Sequence, residues 1–256
     1  MNVDVVDFFS ESNRRRFAVW TWTPPGDGPF PLLLLLHGVY DSGGQGWWLR
    51  ARAPEAVEQL GLDRPPVLVM PTDTGAELGS GYCDWADGTT HAETFLIREL
   101  LPWASGMLPV TEERWVTGLS MGGYGAFTLA LRNPGVFSSV SATSGFFFPQ
   151  RLFRYVPDAA HRMWGDDEGM RAHDPGHLID DPARRAGLRF ALDCGVDDEL
   201  LDSNRSMHAQ LISLGVEHGY AEHPGGHDWD YWRSHVGEHV AFHAGVLGPL
   251  SVGESA

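Results

Sequence analysis

The sequence contains no lysine, so its 18 basic residues are all arginine. That absence excludes Schiff-base chemistry, a Ser-Lys dyad and a P-loop, each of which needs a lysine amine. Cysteine is nearly as scarce. Cys83 and Cys194 are too few for a disulfide framework and lack metal-ligand spacing, so both read as free thiols. Positive charge is short overall, with a formal net charge of -16, which argues against nucleic acid or an anionic membrane as a partner. Long apolar runs are missing too. The longest aliphatic stretch, Leu32 to Leu36, is far too short to span a bilayer. Met1 to Ser10 lacks the basic start and apolar core of a secretion leader, so a cytoplasmic location is expected.

What remains is a chain of 256 residues, 43% hydrophobic, without internal repeats or low-complexity tracts. It has enough apolar residues to build a sizeable core, and a single α/β domain over 1–256 is expected. Short, nearly continuous apolar runs mark strands buried on both faces: Leu32 to Leu36, Val67 to Met70, Trp115 to Thr117, Val140 to Ala142 and Leu188 to Leu192. Phe17 to Thr23 alternates as an edge or antiparallel strand does, and Glu217 to Glu222 reads as a last strand. Helical spacing recurs over Pro54 to Leu60, Glu93 to Leu108, Met121 to Arg132, Ser203 to Leu214 and Tyr231 to Leu247, with a kink or restart expected at Pro102. The pattern predicts a mostly parallel, doubly wound sheet flanked by helices. Residues 146–186 mix aromatics, His161, His173, His177, Pro and Asp without steady period, and read as an insertion over the active site.

Within this frame, Gly118-Leu119-Ser120-Met121-Gly122 fits G-x-S-x-G at a strand-to-helix switch. In that context a sharp turn presents the serine above the sheet edge, and glycine-sized neighbours let strand and helix approach. The helix starting at Met121 adds free N–H groups and a favourable dipole for a developing oxyanion. A serine needs a base, and the order Ser, acid, His places it downstream. His227, in "HPGGHDWDYW", follows the last strand on a Gly-rich loop and is the leading candidate; His223, before Pro224, has less freedom. The acid should follow the preceding strand, where Asp197, Asp198 and Glu199 are all available. Turn geometry alone leaves the three open. His37-Gly38 at the end of the aliphatic strand makes the N–H of Val39 the expected oxyanion partner of Met121, with His37 itself a loop residue.

Five separated stretches, "GLSMGGYGAFTLALRNPGVFSS", "LLLLHGVYDSGGQGW", "YCDW" with "ETFLIRELLPW", "DCGVDDELLDSN" and "PGGHDWDYW", together resemble the putative esterase family of α/β-hydrolases. That family includes tributyrin-type carboxylesterases, S-formylglutathione hydrolases (esterase D) and mycolyltransferases. The resemblance runs from about Phe17 to about Phe242. It implies an α/β-hydrolase fold and a serine carboxylesterase acting on small or short-chain acyl esters through an acyl-enzyme on Ser120, with His227 as base. It also implies that the second aspartate of G-x-D-D, Asp198, is the triad acid, and that Val39 and Met121 supply the oxyanion N–H groups. An acyltransferase or an S-formylglutathione-type thioesterase would use the same machinery. However, Val39-Tyr40-Asp41 lacks the polar, cysteine-containing loop of the thioester-cleaving relatives, and no secretion leader accompanies the acyltransferase reading.

Neither cofactor nor metal is expected; the partner is a small-molecule ester, and a homo-oligomer is compatible with the sequence. Of the aromatics near the motifs (Trp47, Trp48, Tyr82, Trp85, Trp229 and Trp232), Trp47 and Trp229 are expected to line the pocket, while Asp84 and Glu93 are expected to hold loops. One competing reading remains. His235, His239 and His243 lie at i, i+4 and i+8 along one helix face, a spacing that can bind a metal but more commonly marks a solvated face.

Overall fold

The computed structural model describes residues 3–39, 47–73 and 79–246. These form an eight-stranded sheet in the order β1-β2-β4-β3-β5-β6-β7-β8. Strands β1 (Val3–Ser10) and β2 (Arg15–Trp22) pair antiparallel, and β2 pairs antiparallel with β4 (Val67–Pro71). All other pairings, through β3 (Phe30–Leu36), β5 (Val110–Leu119), β6 (Ser139–Thr143), β7 (Arg189–Gly195) and β8 (His218–His223), are parallel. The predicted strands are all present. The addition is β1, an edge strand whose alternating, half-exposed residues lack the apolar run of a buried strand.

The aliphatic run around Leu32 to Leu36 divides its side chains between two cores, as a pleated strand must. Leu32, Leu34 and Leu36 enter one core with Val67 and Val69 of β4, whereas Leu33 and Leu35 enter the other with Leu68 and Met70. Helices cover both faces. On one side lie α1 (Trp47–Arg50), α2 (Ala53–Leu60) and, at the end of the chain, α12 (Trp229–His243). On the other side lie α3 (Ala92–Thr94), a π-helical turn over Phe95–Leu100, α4 (Leu101–Met107), α5 (Met121–Arg132) and α11 (Leu201–Ser213). The restart expected at Pro102 is the junction between the π-turn and α4, with the proline in the first turn, where its missing N–H costs nothing.

Residues 146–186, expected without regular period, are a chain of short helices: α6 (Gln150–Tyr155), α7 (Pro157–Trp164), α8 (Asp167–Arg171), α9 (Pro175–Leu178) and α10 (Pro182–Arg185). Most are too short to show an amphipathic stripe. Their starts are set by caps instead. Asp166, Asp174 and Asp181 accept hydrogen bonds from the N–H groups of Gly169, Gly176 and Ala183, and a proline follows directly after the last two. The insertion lies between β6 and β7, so α6 and α7 reach the carboxyl ends of the parallel strands, where α/β folds bind ligands. No helix among the described residues is long and apolar enough to cross a membrane.

Candidate active site

Two glycines make the elbow between β5 and α5 sterically feasible. A Cβ on Gly118 would lie 2.0 Å from the carbonyl oxygen of Gly122, and one on Gly122 would lie 2.1 Å from that of Leu36. Any larger residue would push the helix off the sheet. Between them Ser120 adopts φ 56°, ψ -118°, a region that costs a non-glycine residue roughly 1–3 kcal/mol. The strained turn is pinned by backbone bonds from Ser120 N–H to Thr143 O (3.0 Å) and from Phe146 N–H to Ser120 O (3.2 Å).

Ser120 Oγ lies 3.0 Å from His227 Nε2. The other ring nitrogen of His227 lies 2.9 Å and 3.1 Å from the two carboxylate oxygens of Asp198. A carboxylate can only accept, so Nδ1 carries the proton and Nε2 is left to accept from the serine hydroxyl. Asp198 is buried; Asp197 and Glu199 are exposed and make no contact with the imidazole among the described bonds. Burial opposes the charge on Asp198, but hydrogen bonds from His227, Ser144 and the N–H of Leu200 outweigh it and hold the carboxyl below its usual range. The loops carrying acid and base are stitched together through Val196 N–H to His223 O and Asp197 N–H to Gly225 O, both 2.9 Å.

A cavity of about 540 Å³ opens over Ser120. Gly38, Val39 and Met121 line it, so both residues expected to donate N–H groups border the serine. His37 is buried, with its carbonyl accepting from Tyr82 Oη at 2.9 Å, which fits its reading as a loop residue. A larger cavity of about 720 Å³, between Trp22, Phe30, Val57 and Leu62, sits at the opposite, amino-terminal ends of β3 and β4 and holds none of these groups.

The aromatic expectations need correction. Trp229 is not among the cavity-lining residues: its ring lies under the guanidinium of Arg50 at 4.4 Å and packs edge-on against Trp232 at 5.1 Å. Trp232, three residues on and nearly a full turn along α12, takes the wall position and stands perpendicular to the His227 ring. The side chain of Trp47 and the loop 40–46 lie outside the described residues. Trp48, Tyr82 and Trp85 are core residues. Asp84 accepts from the N–H and hydroxyl of Thr94, and Glu93 accepts from Arg132 and Asn133, so both hold loops as expected.

The three helix histidines face the protein, not solvent. His239 Nε2 contacts Asp193 Oδ1 at 2.9 Å, and His243 sits between Ser139 Oγ (2.7 Å) and Ser141 Oγ (2.9 Å), both histidines fully buried. His235 stacks on His223 at 4.1 Å, and both rings turn a nitrogen toward the Glu238 carboxylate, at 2.8 Å and 3.3 Å. Asp193, His223 and His235 do bring ligand atoms within 4.8 Å of one another. Yet parallel rings direct their lone pairs side by side rather than at one point, and Asp193 is already engaged by His239 and Tyr231. The cluster supports the base-bearing loop: a Cβ on Gly225 would meet the Tyr231 ring at 2.8 Å, so loop and ring are in close contact.

Sequence reasoning missed Ser144 and the Asp193 cluster, whereas residues 146–186, expected over the active site, do line the cavity through α6 and α7. Ser144, at φ 51°, accepts from the Trp232 indole N–H at 3.2 Å and hydrogen-bonds Asp198. Its left-handed backbone just past β6 mirrors that of Ser120 just past β5, a feature with no signature in residue type.

Comparison with known proteins places the chain among esterases. An acetyl esterase of Caldicellulosiruptor saccharolyticus is 26% identical over 220 residues, covering 80% of this chain and 79% of that protein. An esterase of Mycobacterium tuberculosis is 28% identical over 257 residues; the alignment takes in 89% of this chain but only 54% of the relative. Among solved structures, a ferulic acid esterase superposes with a TM-score of 0.80 at 25% identity, covering 96% of this chain and 98% of that one. The S-formylglutathione hydrolase of Agrobacterium tumefaciens superposes with a TM-score of 0.81 at 21% identity, covering 96% and 95%, and shows the shared fold. The family model described as Putative esterase matches residues 10–243, so with the α/β-hydrolase sheet and its named relatives the chain belongs to that family of ester-hydrolysing enzymes.

Proposed function

We propose that this enzyme is a serine carboxylesterase that cleaves small-molecule esters through an acyl-enzyme on Ser120. The observation that carries the reading is the unbroken line of contacts Ser120, His227, Asp198 at 3.0 and 2.9 Å, opening on a cavity. His227 Nε2 takes the Ser120 proton as Oγ attacks the acyl carbonyl, and the N–H groups of Val39 and Met121 receive the oxyanion. The imidazolium then protonates the leaving oxygen, while the carboxylate of Asp198 stabilises its charge and holds its orientation. Water, deprotonated by the same imidazole, releases the acid and restores the serine. Each oxyanion donor contributes about 3 kcal/mol of transition-state stabilisation in such sites.

The test is a Ser120→Ala variant assayed on p-nitrophenyl butyrate, paired with fluorophosphonate labelling and peptide mapping of the wild type. The variant should lose turnover by about 10⁶-fold, the loss typical when a triad nucleophile is removed, with its melting temperature retained. Label on any other residue, or an alanine variant with near wild-type turnover, would sink the assignment.

A further inference from the structure

The cavity over Ser120 is built of more than the chemistry requires. Attack and proton transfer use Ser120, His227 and two N–H groups, yet the wall opposite is apolar. Leu152 of α6, Val156 between α6 and α7, and Ala160, Met163 and Trp164 of α7 face Tyr124, which lies one turn beyond Ser120 on α5. At about 540 Å³ the space is of the size that engulfs a whole small ligand. A formyl or acetyl group would leave most of this wall in water. Among the described lining residues charge is equally one-sided: they include the carboxylate of Glu199 and no arginine. The arginines of α6 are exposed, Arg151 over the ring of Phe148 and Arg154 over that of Tyr155. Glu199 adjoins Asp198, which touches His227. The leaving group takes its proton from His227, which lines the same cavity as Glu199.

We infer that the substrate is an ester whose acyl group is uncharged, apolar and well beyond acetyl in size, lodged against α6 and α7. Its leaving group is neutral or cationic, and Glu199 is the residue that selects against an anionic one. This deepens the serine-esterase reading and rests on it. It separates the chain from enzymes whose thiol leaving group carries net negative charge, as the tripeptide of an S-formylglutathione does.

Two substrate series test it. With p-nitrophenyl esters, kcat/KM should rise from acetate to hexanoate by about fourfold per methylene, the increment of burying each CH₂. In Ala159→Trp, which adds bulk to a half-buried lining position, the optimum should move to shorter acyl groups, with melting confirming the fold. With butyryl thioesters of thiocholine, 2-mercaptoethanol and 3-mercaptopropionate, kcat/KM should fall in that order by roughly three- to tenfold per unit charge, as expected for charges about 6 Å apart in partly aqueous surroundings. Glu199→Gln should pull the ratio of the first to the last toward one. A flat or falling acyl profile in an enzyme labelled at Ser120 overturns the acyl assignment, as does an unmoved optimum in a folded Ala159→Trp protein. An anionic thioester cleaved as fast as the cationic one, or a ratio unchanged in Glu199→Gln, overturns the charge assignment. Absence of both turnover and Ser120 labelling is the separate signature of a failed esterase reading, and the inference would fall with it.

Discussion

Asp198 was one of three adjacent acids in the sequence, and the reason it alone meets His227 is local. The turn after β7 closes with Asp198 N–H bonded to Gly195 O, and its side chain folds inward to accept from Leu200 N–H at 2.8 Å. Successive residues of a turn point apart, so Asp197 and Glu199 do not share the imidazole with it, although Glu199 borders the cavity. The residues alone could not choose among them, since composition is identical in character at all three positions; only the resemblance to a family singled one out. Replacing Asp198 with Asn keeps size but offers Nδ1 a ring partner that no longer demands the N–H, so the imidazole loses its enforced tautomer. Asp198→Asn should therefore lower kcat by ~10⁴-fold, as in serine triads generally, with little change in melting temperature. Steady-state kinetics on one p-nitrophenyl ester checks it, and a loss under tenfold would mean that another group orients His227. Ser120 and His227 were legible because glycine spacing and a Gly-rich loop betray them. Ser144 was not, because its role comes from where β6 ends and from what Trp232 and Asp198 place beside it.

Strands were the most legible elements, because a chain buried on both faces has to be apolar at consecutive positions, as Leu32 to Leu36 are. The insertion was least legible: helices of four to eight residues are fixed by aspartate caps and prolines rather than by a stripe. Helix α12 lies where its spacing predicts, but its histidines do not form the solvated face that spacing suggests. Their spacing says only that they share a face, and here that face packs on the sheet. At its end, Ser141 Oγ donates to Thr117 Oγ1 at 2.7 Å, so the His243 Nε2–H donates to Ser141 and Nδ1 accepts from Ser139. That is a satisfied neutral imidazole. Burial, reinforced by the charges of His239 and Arg189, holds its pKa well below the ordinary 6.5. As pH falls below 6.5 the unfolded chain takes up a proton that the folded one refuses. The stabilising contribution is thus complete above 6.5 and is lost on acidification toward the folded-state value. The expected slope from this group is up to about 1.4 kcal/mol per pH unit. His173 and His208 shift in the same direction and His235 in the opposite one, so the comparison has to isolate His243. His243→Gln keeps a donor and an acceptor but binds no proton. Urea unfolding at pH 7 and pH 5.5 should show a shallower acid loss in the variant than in the wild type; equal slopes would remove His243 from the account.

At the scale of the whole molecule, net charge and an insertion over the active site could be read from the sequence, whereas sheet order could not, because it depends on contacts remote along the chain. The charge of -16 and the carboxylate of Glu199 at the cavity act on a substrate over different distances. The global field reaches an approaching anion from afar and is screened by salt, with a Debye length of about 30 Å at 0.01 M and about 10 Å at 0.1 M. Glu199 acts at contact, inside that length at either concentration. Raising NaCl from 0.01 to 0.1 M should therefore increase kcat/KM for the 3-mercaptopropionate thioester, lower it for the thiocholine thioester, and leave the 2-mercaptoethanol thioester unchanged. The discrimination that survives at 0.1 M belongs to Glu199 and should shrink in Glu199→Gln, while the salt-sensitive part should persist in the variant, which changes only one unit of the net charge. Stopped assays across a salt titration of both proteins separate the two. A wild-type discrimination that vanishes completely at high salt would assign charge selection to the molecule as a whole and none of it to Glu199.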